Sequence, residues 1–373
     1  MQINQERVLS RLMEIIQIDS VSYKEGPMTD YLQNYFEKLG YEVYRDEAGK
    51  AIGGDHAGNL LIHIPGTLGG EAICLNAHQD TVEPGIGIHP VFENGILKSD
   101  GDTILAADDK SGIVMTMELL DLLKETGTPH RDLYLLFTIC EENGMYGAKT
   151  FDCSKLPAKN IFSLDGAGKI GPVITSGAGK DSLTITFHGK TAHGGIEPEK
   201  GINAIAVAAS AINRVPFGRI DPETTSNIGR IEGGGATNIV TDTVTFTCEV
   251  RSHTQKQIDD QVAKIVKACN DAAAEFKASV DIDIDHFCPP CKPDPDCFLS
   301  RLTLHALEAE GFTPEYVVTN GSGDSNIFSG KGFHCSGIST GMFDVHTTGE
   351  YLDMKVFEQA FGIVWRIMTD EFQ

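Results

Sequence analysis

Apolar positions along the chain recur with two different periods, and the two alternate. In NQERVLSRLMEII (4–16) and MTDYLQNYFEKLG (28–40) they fall three and four residues apart, the helical spacing, and the second run closes on Gly40. The strand-like YEVYRD, NLLIHIPG and AICLNA follow, then the long amphipathic DKSGIVMTMELLDLLKET, then DLYLLFTIC and NIFSLDG. Strands separated by helices predict an open α/β unit, a mainly parallel sheet covered by helices.

Near Gly177 the texture changes. SLTITFHG alternates as a half-exposed strand, EKGINAIAVAASAINRV is helical, and SNIGRIEG and TDTVTFTCEVRSH are strands. QKQIDDQVAKIVKACNDAAAEF is helical again and SVDIDIDH alternates. The order βαββαβ is that of a ferredoxin-like layer, which predicts a complete domain inserted over 177–291. The discontinuous remainder is 1–176 and 292–373. After the Pro-rich FCPPCKPDPD, α/β texture returns in DCFLSRLTLHALEAEG, EYVVTN, SNIFSG and HCSGIS, and a last helix is expected from Asp353 to Phe372. Phe357, Phe361, Val364, Trp365 and Met368 share one face of it and are expected to be core.

Composition narrows the classes. With 373 residues, 41% of them hydrophobic, the chain has ample material for two compact units. A formal charge of −23 argues against nucleic acid or an anionic membrane surface as partner, since either would need clustered Lys and Arg. No apolar run approaches the roughly 18 to 20 residues that cross a bilayer, and MQINQERVLSRL is too polar for a signal peptide, so a cytoplasmic location is expected. Nine cysteines without regular spacing, several inside apolar runs (Cys74, Cys140, Cys248), suit reduced buried thiols. Cys288 and Cys291 form a CxxC with no second CxxC to complete a zinc knuckle, and are read as incidental members of a linker.

Candidate chemistry lies at the carboxyl ends of the strands, where open α/β sheets gather their functional groups. AICLNA is followed by His78-Gln79-Asp80; the segment ending ILAA by Asp108-Asp109-Lys110; the run Leu133 to Cys140 by Glu141-Glu142; IFSL by Asp165; GMFDV by His346. One carboxylate at a strand end is commonplace. Five such sites, if they converge, concentrate more negative charge than a buried space tolerates without a cation of charge two or more. Carboxylates and imidazoles without thiolate suit zinc, cobalt or manganese. Asp80, two residues beyond His78 on an extended chain, is placed to accept that histidine's other ring N–H.

The motifs NAHQDTV, AADDKSGI, EENGMYGAK, SLDG, HGKTAHGGIEPEKGINAI, ATNIV, EVRSH, GSGDSN and DVHTTGEYLD, in this order and spacing, resemble the M20 metallopeptidases, close to the peptidase T branch, over essentially the whole chain. The resemblance implies a zinc-aminopeptidase type catalytic domain with an inserted lid and dimerisation domain. It implies two divalent ions, zinc foremost with cobalt or manganese as alternatives, held by His78, Asp108, Glu142, Asp165 and His346. Asp108 would bridge them, with a cis peptide bond to Asp109. Glu141 would be the general base, Asp80 the orienting partner of His78, and His193 a stabiliser of the oxyanion, reaching a partner subunit in dimeric members. Asn238 and Arg251 would contact substrate.

The implied reaction is removal of amino-terminal residues from short peptides, tripeptides foremost, by water activated between the ions. A carboxypeptidase or an N-acyl amino acid deacylase on the same metal site is the alternative. Taken alone, His193 could sit in a Gly-rich turn and Arg251 could be a surface charge. The glycines of GGGATN and GSGDSN match no phosphate-binding loop and read as turns.

Overall fold

The computed structural model describes residues 1–372. Two compact units divide them: Met1–Thr175, Pro293–Val318 and the chain from Gly323 onward form the first, Ser176–Lys292 and Thr319–Ser322 the second.

The first unit is built on a nine-stranded sheet in the order Val43–Arg45, Leu60–Ile64, Leu133–Thr138, Ile73–His78, Asn160–Ala167, His334–Phe343, Tyr351–Asp353, Ile96–Ser99, Pro90–Glu93. Its four middle strands, Leu133–Thr138 to His334–Phe343, run parallel, and both flanks are antiparallel. Leu133–Thr138 and Ile73–His78 are buried at every residue. A strand covered on both faces has room for polar chemistry only where it ends.

The helix Ala107–Thr126 packs on the central strands and is buried along most of its length. Gly112 permits that approach, because a Cβ there would stand 2.9 Å from the Cβ of Leu164. The last helix is Met354–Thr369, shorter at both ends than the pattern predicts; the Asp353 carboxylate caps it by accepting from Lys355 N and Val356 N. Its expected face, Phe357, Phe361, Val364, Trp365 and Met368, is buried. The hairpin Pro90–Glu93 and Ile96–Ser99 and the strand Tyr351–Asp353 have no clear period in the sequence, being only three or four residues long.

The second unit carries an antiparallel sheet in the order Gly218–Asp221, Thr224–Gly233, Thr243–Ser252, Gly179–His188, Ser279–Cys288, with the helices Ala204–Asn213 and Gln255–Phe276. Its four long strands and two helices follow the βαββαβ order; Gly218–Asp221 is a short additional edge strand. Leu183, Ile185, Phe187, Val244, Phe246 and Val250 face the helices and form the core. The intervening Thr184, Thr186, Thr245 and Thr247 lie on the opposite face, in keeping with the period-two pattern. Cys74, Cys140 and Cys248 are buried and form no disulfide. Cys288 and Cys291 are buried as well, Cys291 exchanging backbone hydrogen bonds with Gly177, so the CxxC segment is an ordered part of the second unit. No helix among the described residues is long and apolar enough to cross a membrane.

Candidate metal centre

Four strand ends and one helix start of the first unit meet around Asp108. His78 closes Ile73–His78, and its Nε2 lies 3.0 Å from Asp108 Oδ1 and 3.7 Å from Asp165 Oδ1. The other oxygen of Asp108, Oδ2, lies 3.2 Å from Nε2 of His346, which is 2.9 Å from Glu142 Oε1. One carboxylate therefore has an imidazole on each oxygen. Ligand atoms of His78, Asp108 and Asp165 lie within 4.8 Å of one another, as do those of Asp108, Glu142 and His346 and those of His78, Glu141 and Glu142.

Local backbone geometry makes this possible. Asp108 and Asp109 are non-helical within the first turn of Ala107–Thr126, and the peptide bond between them is cis. Ala106, Cys140, Asp344 and His346 take positive φ values of 64°, 52°, 50° and 63°. Non-glycine residues adopt that region rarely, and here they turn the chain sharply at the strand ends so that the next side chains face inward.

Burial and mutual repulsion dominate the electrostatics. Burial first, and Asp165 second, push the Glu141 carboxyl well above its ordinary value, and the adjacent Glu142 contributes less. Burial and Asp108 raise Asp165 to about 7. Burial opposes charge on His78, but its bonds to Asp108, Asp165 and Asp80 outweigh this and lift it well above the usual imidazole value. Bonds to Asp108 and Glu142 lift His346 to about 10. The cluster thus calls for added positive charge. The donors are carboxylate oxygens and imidazole nitrogens with no thiolate among them, a set that fits two divalent ions sharing Asp108.

The supports differ from the sequence reading in three places. The Asp80 carboxylate lies 3.4 Å from His78 Nδ1, but the Asp80 carbonyl oxygen is nearer at 3.0 Å. That carboxylate accepts instead from Glu141 N at 2.9 Å, Glu142 N at 3.2 Å and the Ser22 hydroxyl at 2.7 Å, so it holds the glutamate pair as much as the histidine. Glu350, given no role by the sequence, is buried and accepts from the amides of Leu105, Ala106 and Asp108 at 2.8, 2.8 and 3.0 Å. It clamps the loop that presents Asp108. Gly323, read as part of a turn, is packed against the centre: a Cβ there would stand 3.2 Å from Glu141 Oε1 and 3.5 Å from Asp165 Oδ2. The only sequence signals were membership of the motifs DVHTTGEYLD for Glu350 and GSGDSN for Gly323.

The remaining candidates belong to the second unit. His193 and Asn238 are exposed on adjoining loops, where Gly194 N donates to Asn238 O at 2.8 Å. Arg251, on Thr243–Ser252, donates from Nε to Glu249 Oε1 at 2.8 Å and from Nη1 to the Asn320 carbonyl at 3.0 Å.

Comparison with known proteins agrees with this architecture. Residues 176–277 match the family model described as Peptidase dimerisation domain, and residues 59–196 match Peptidase family M28. The chain is 37% identical to YqjE of Bacillus subtilis, over 99% of both sequences. Among solved structures, aminopeptidase PepT from Bacillus cereus is 37% identical, with a TM-score of 0.92 over 98% of each chain. A tripeptidase from Staphylococcus aureus is 31% identical, with a TM-score of 0.93 over 99% of each chain. With a whole-chain resemblance of this degree and a strand-end donor set of this kind, the chain belongs to the M20 metallopeptidase family, in its peptidase T-like branch.

Proposed function

We propose that the protein is a two-metal aminopeptidase that removes amino-terminal residues from short peptides, tripeptides foremost. The observation that carries the reading is the Asp108 carboxylate with His78 on one oxygen and His346 on the other, beside a half-buried Glu141. The names of the Bacillus cereus aminopeptidase and the Staphylococcus aureus tripeptidase support the substrate class.

His78 and Asp165 are assigned to one ion, His346 and Glu142 to the other, and Asp108 to both. Zinc is the first candidate, with cobalt or manganese as alternatives. Bound there, the ions would supply Lewis acidity and make water acidic enough to react near neutral pH. Glu141 then takes a proton from the attacking water on its carboxylate and returns it to the leaving amine. Its burial favours this exchange by weakening the preference for the ionised form. Asp80 and Glu350 fix the backbone that carries Glu141, Glu142 and Asp108. His193 is assigned to the carbonyl oxygen of the substrate and Asn238 and Arg251 to its remaining polar groups. The match of the second unit to a dimerisation domain supports a homodimer formed through it.

Replacing Glu141 by Gln should lower kcat on a tripeptide by about 100- to 10,000-fold while metal analysis still finds two ions per chain. Activity within a few-fold of wild type would remove Glu141 from the mechanism. Matched assays of a tripeptide and its N-acetylated form separate the competing activities, because an aminopeptidase needs the free ammonium. Faster cleavage of the acetylated form would favour the deacylase.

A further inference from the structure

We propose that Glu25 is a positioning residue of this centre: by holding the backbone of Cys140 in its left-handed turn, it aims Glu141 and Glu142 at the metals. The inference rests on the roles assigned above to those two glutamates.

Glu25 is fully buried, directly before the helix Gly26–Lys38, and lies 115 residues from the group it binds. Its Oε1 accepts from Cys140 N at 3.0 Å. The next two amides, Glu141 N and Glu142 N, are accepted by Asp80 at 2.9 and 3.2 Å. Three consecutive N–H groups thus point at two buried carboxyl groups behind the centre, and the side chains of 141 and 142 are thrown to the other side. The turn that achieves this is Cys140, at φ 52°, a conformation that opposes a residue with a Cβ. Strain of this kind persists only where the surroundings impose it. Ile139 N is held as well, by Asn59 Oδ1 at 3.1 Å, so Glu25 and Asp80 take up the run of amides where the strand ladder gives out.

Glu25 Oε2 is buried with no hydrogen-bond partner. Ligand atoms of Glu25, Asp80 and Cys140 come within 4.8 Å of one another. A second carboxylate charge beside Asp80 would be repelled and unsolvated, and burial together with Asp80 raises the Glu25 carboxyl to about 8. A neutral carboxyl is enough for the task, because what the Cys140 amide needs is an acceptor oxygen rather than a charge.

The test uses four variants of the full-length holoenzyme. Each is assayed for kcat and KM on a tripeptide, for the rate of zinc loss to a chromophoric chelator, and for thermal unfolding. Glu25→Ala is expected to lower kcat about 10- to 100-fold with KM within twofold, and to speed zinc loss by a similar factor, the range for supports one step removed from a metal. Glu25→Gln keeps the oxygen and should stay within about threefold of wild type on both readouts. Glu25→Ala combined with Cys140→Gly should regain most of the loss, because glycine takes the left-handed turn unaided. Glu25→Asp withdraws the oxygen by one methylene and should behave as Glu25→Ala; it carries the test if the alanine variant does not fold.

Three results would overturn the proposal: Glu25→Ala, or Glu25→Asp in its place, matching wild type; Glu25→Gln as impaired as Glu25→Ala; or no recovery with Cys140→Gly. Zinc loss is read without turnover, so it separates failure here from failure of the peptidase reading, which is decided by Glu141→Gln.

Discussion

Strand Ile73–His78 of the first unit is buried at all six residues, whereas Thr243–Ser252 of the second alternates between buried and more exposed positions along its length. The difference sets where chemistry can reside. Where helices cover both faces of a parallel sheet, a polar side chain is tolerated only at the strand ends, and since parallel strands end on the same side, their acids and histidines meet. In an antiparallel sheet with one open face, every second residue can be polar at little energetic cost. Asp281, Asp283 and Asp285 are exposed along Ser279–Cys288, Asp281 paired with His188, while Asp108, Glu141 and Asp165 are drawn into one cluster where burial and charged neighbours shift their proton affinities.

A paired substitution tests this contrast most severely. Asp108→Ala, which removes the carboxylate shared by both histidines, should abolish bound metal and leave activity at background. Asp283→Asn should change metal content and kcat by less than about twofold, as expected for a solvated surface group. Equal losses would mean that the open face of the second unit matters to metal binding and turnover as much as the centre does.

Core truncation addresses what the units share. Phe246 is 1% exposed and its ring centroid lies 6.3 Å from that of Phe187. Phe246→Ala should cost about 3–5 kcal/mol in urea unfolding, the range for a large buried aromatic. Loss of bound metal from the native protein before unfolding should stay near the wild-type rate. A stability change under about 1 kcal/mol would show that this sheet packs loosely against its helices.

Glu350→Gln probes the clamp on the Asp108 loop. One of its two oxygens becomes an amide nitrogen facing backbone N–H groups, so metal affinity should fall about 10- to 100-fold. Titration of metal-depleted protein with Co2+ measures this, and unchanged affinity would confine Glu350 to structure. A pH slope probes Glu25 itself. The Glu25 carboxyl is raised from the ordinary 4.5 to about 8 in the fold, so between those values the folded chain holds more protons than the unfolded one. The stabilisation is complete below the lower value and lost as pH rises through the upper. Glu25→Gln is neutral throughout. Its urea midpoint relative to wild type should therefore move upward from about pH 5 to about pH 8; a flat difference would mean Glu25 is ionised in the fold.

Much of the cluster was legible because its acids and histidines follow apolar runs directly. His78, Asp108, Glu142, Asp165 and His346 each stand at the end of a recognisable buried segment or at the start of the helix that follows one. The βαββαβ order of the second unit was legible for a similar reason, since its strands alternate and its helices keep the helical period. What escaped was whatever acts through backbone groups far away in sequence. Glu350 reaches Leu105 across 245 positions and Glu25 reaches Cys140 across 115. Neither leaves a spacing signature, because an amide donor is the same at every residue. The Asp80 carboxylate was assigned to the His78 ring from its position two residues on, yet the turn at Cys140 brings two amides closer to it.

By itself the sequence determined the longer helices and strands and which acids and histidines stand at strand ends, since both follow from residue type and from periods a few residues long. The tertiary structure alone decided which of those groups share one carboxylate, which amides hold them in place, and how tightly each binds its proton. Those properties depend on distance and on exclusion of water, and neither is set until remote segments have packed together.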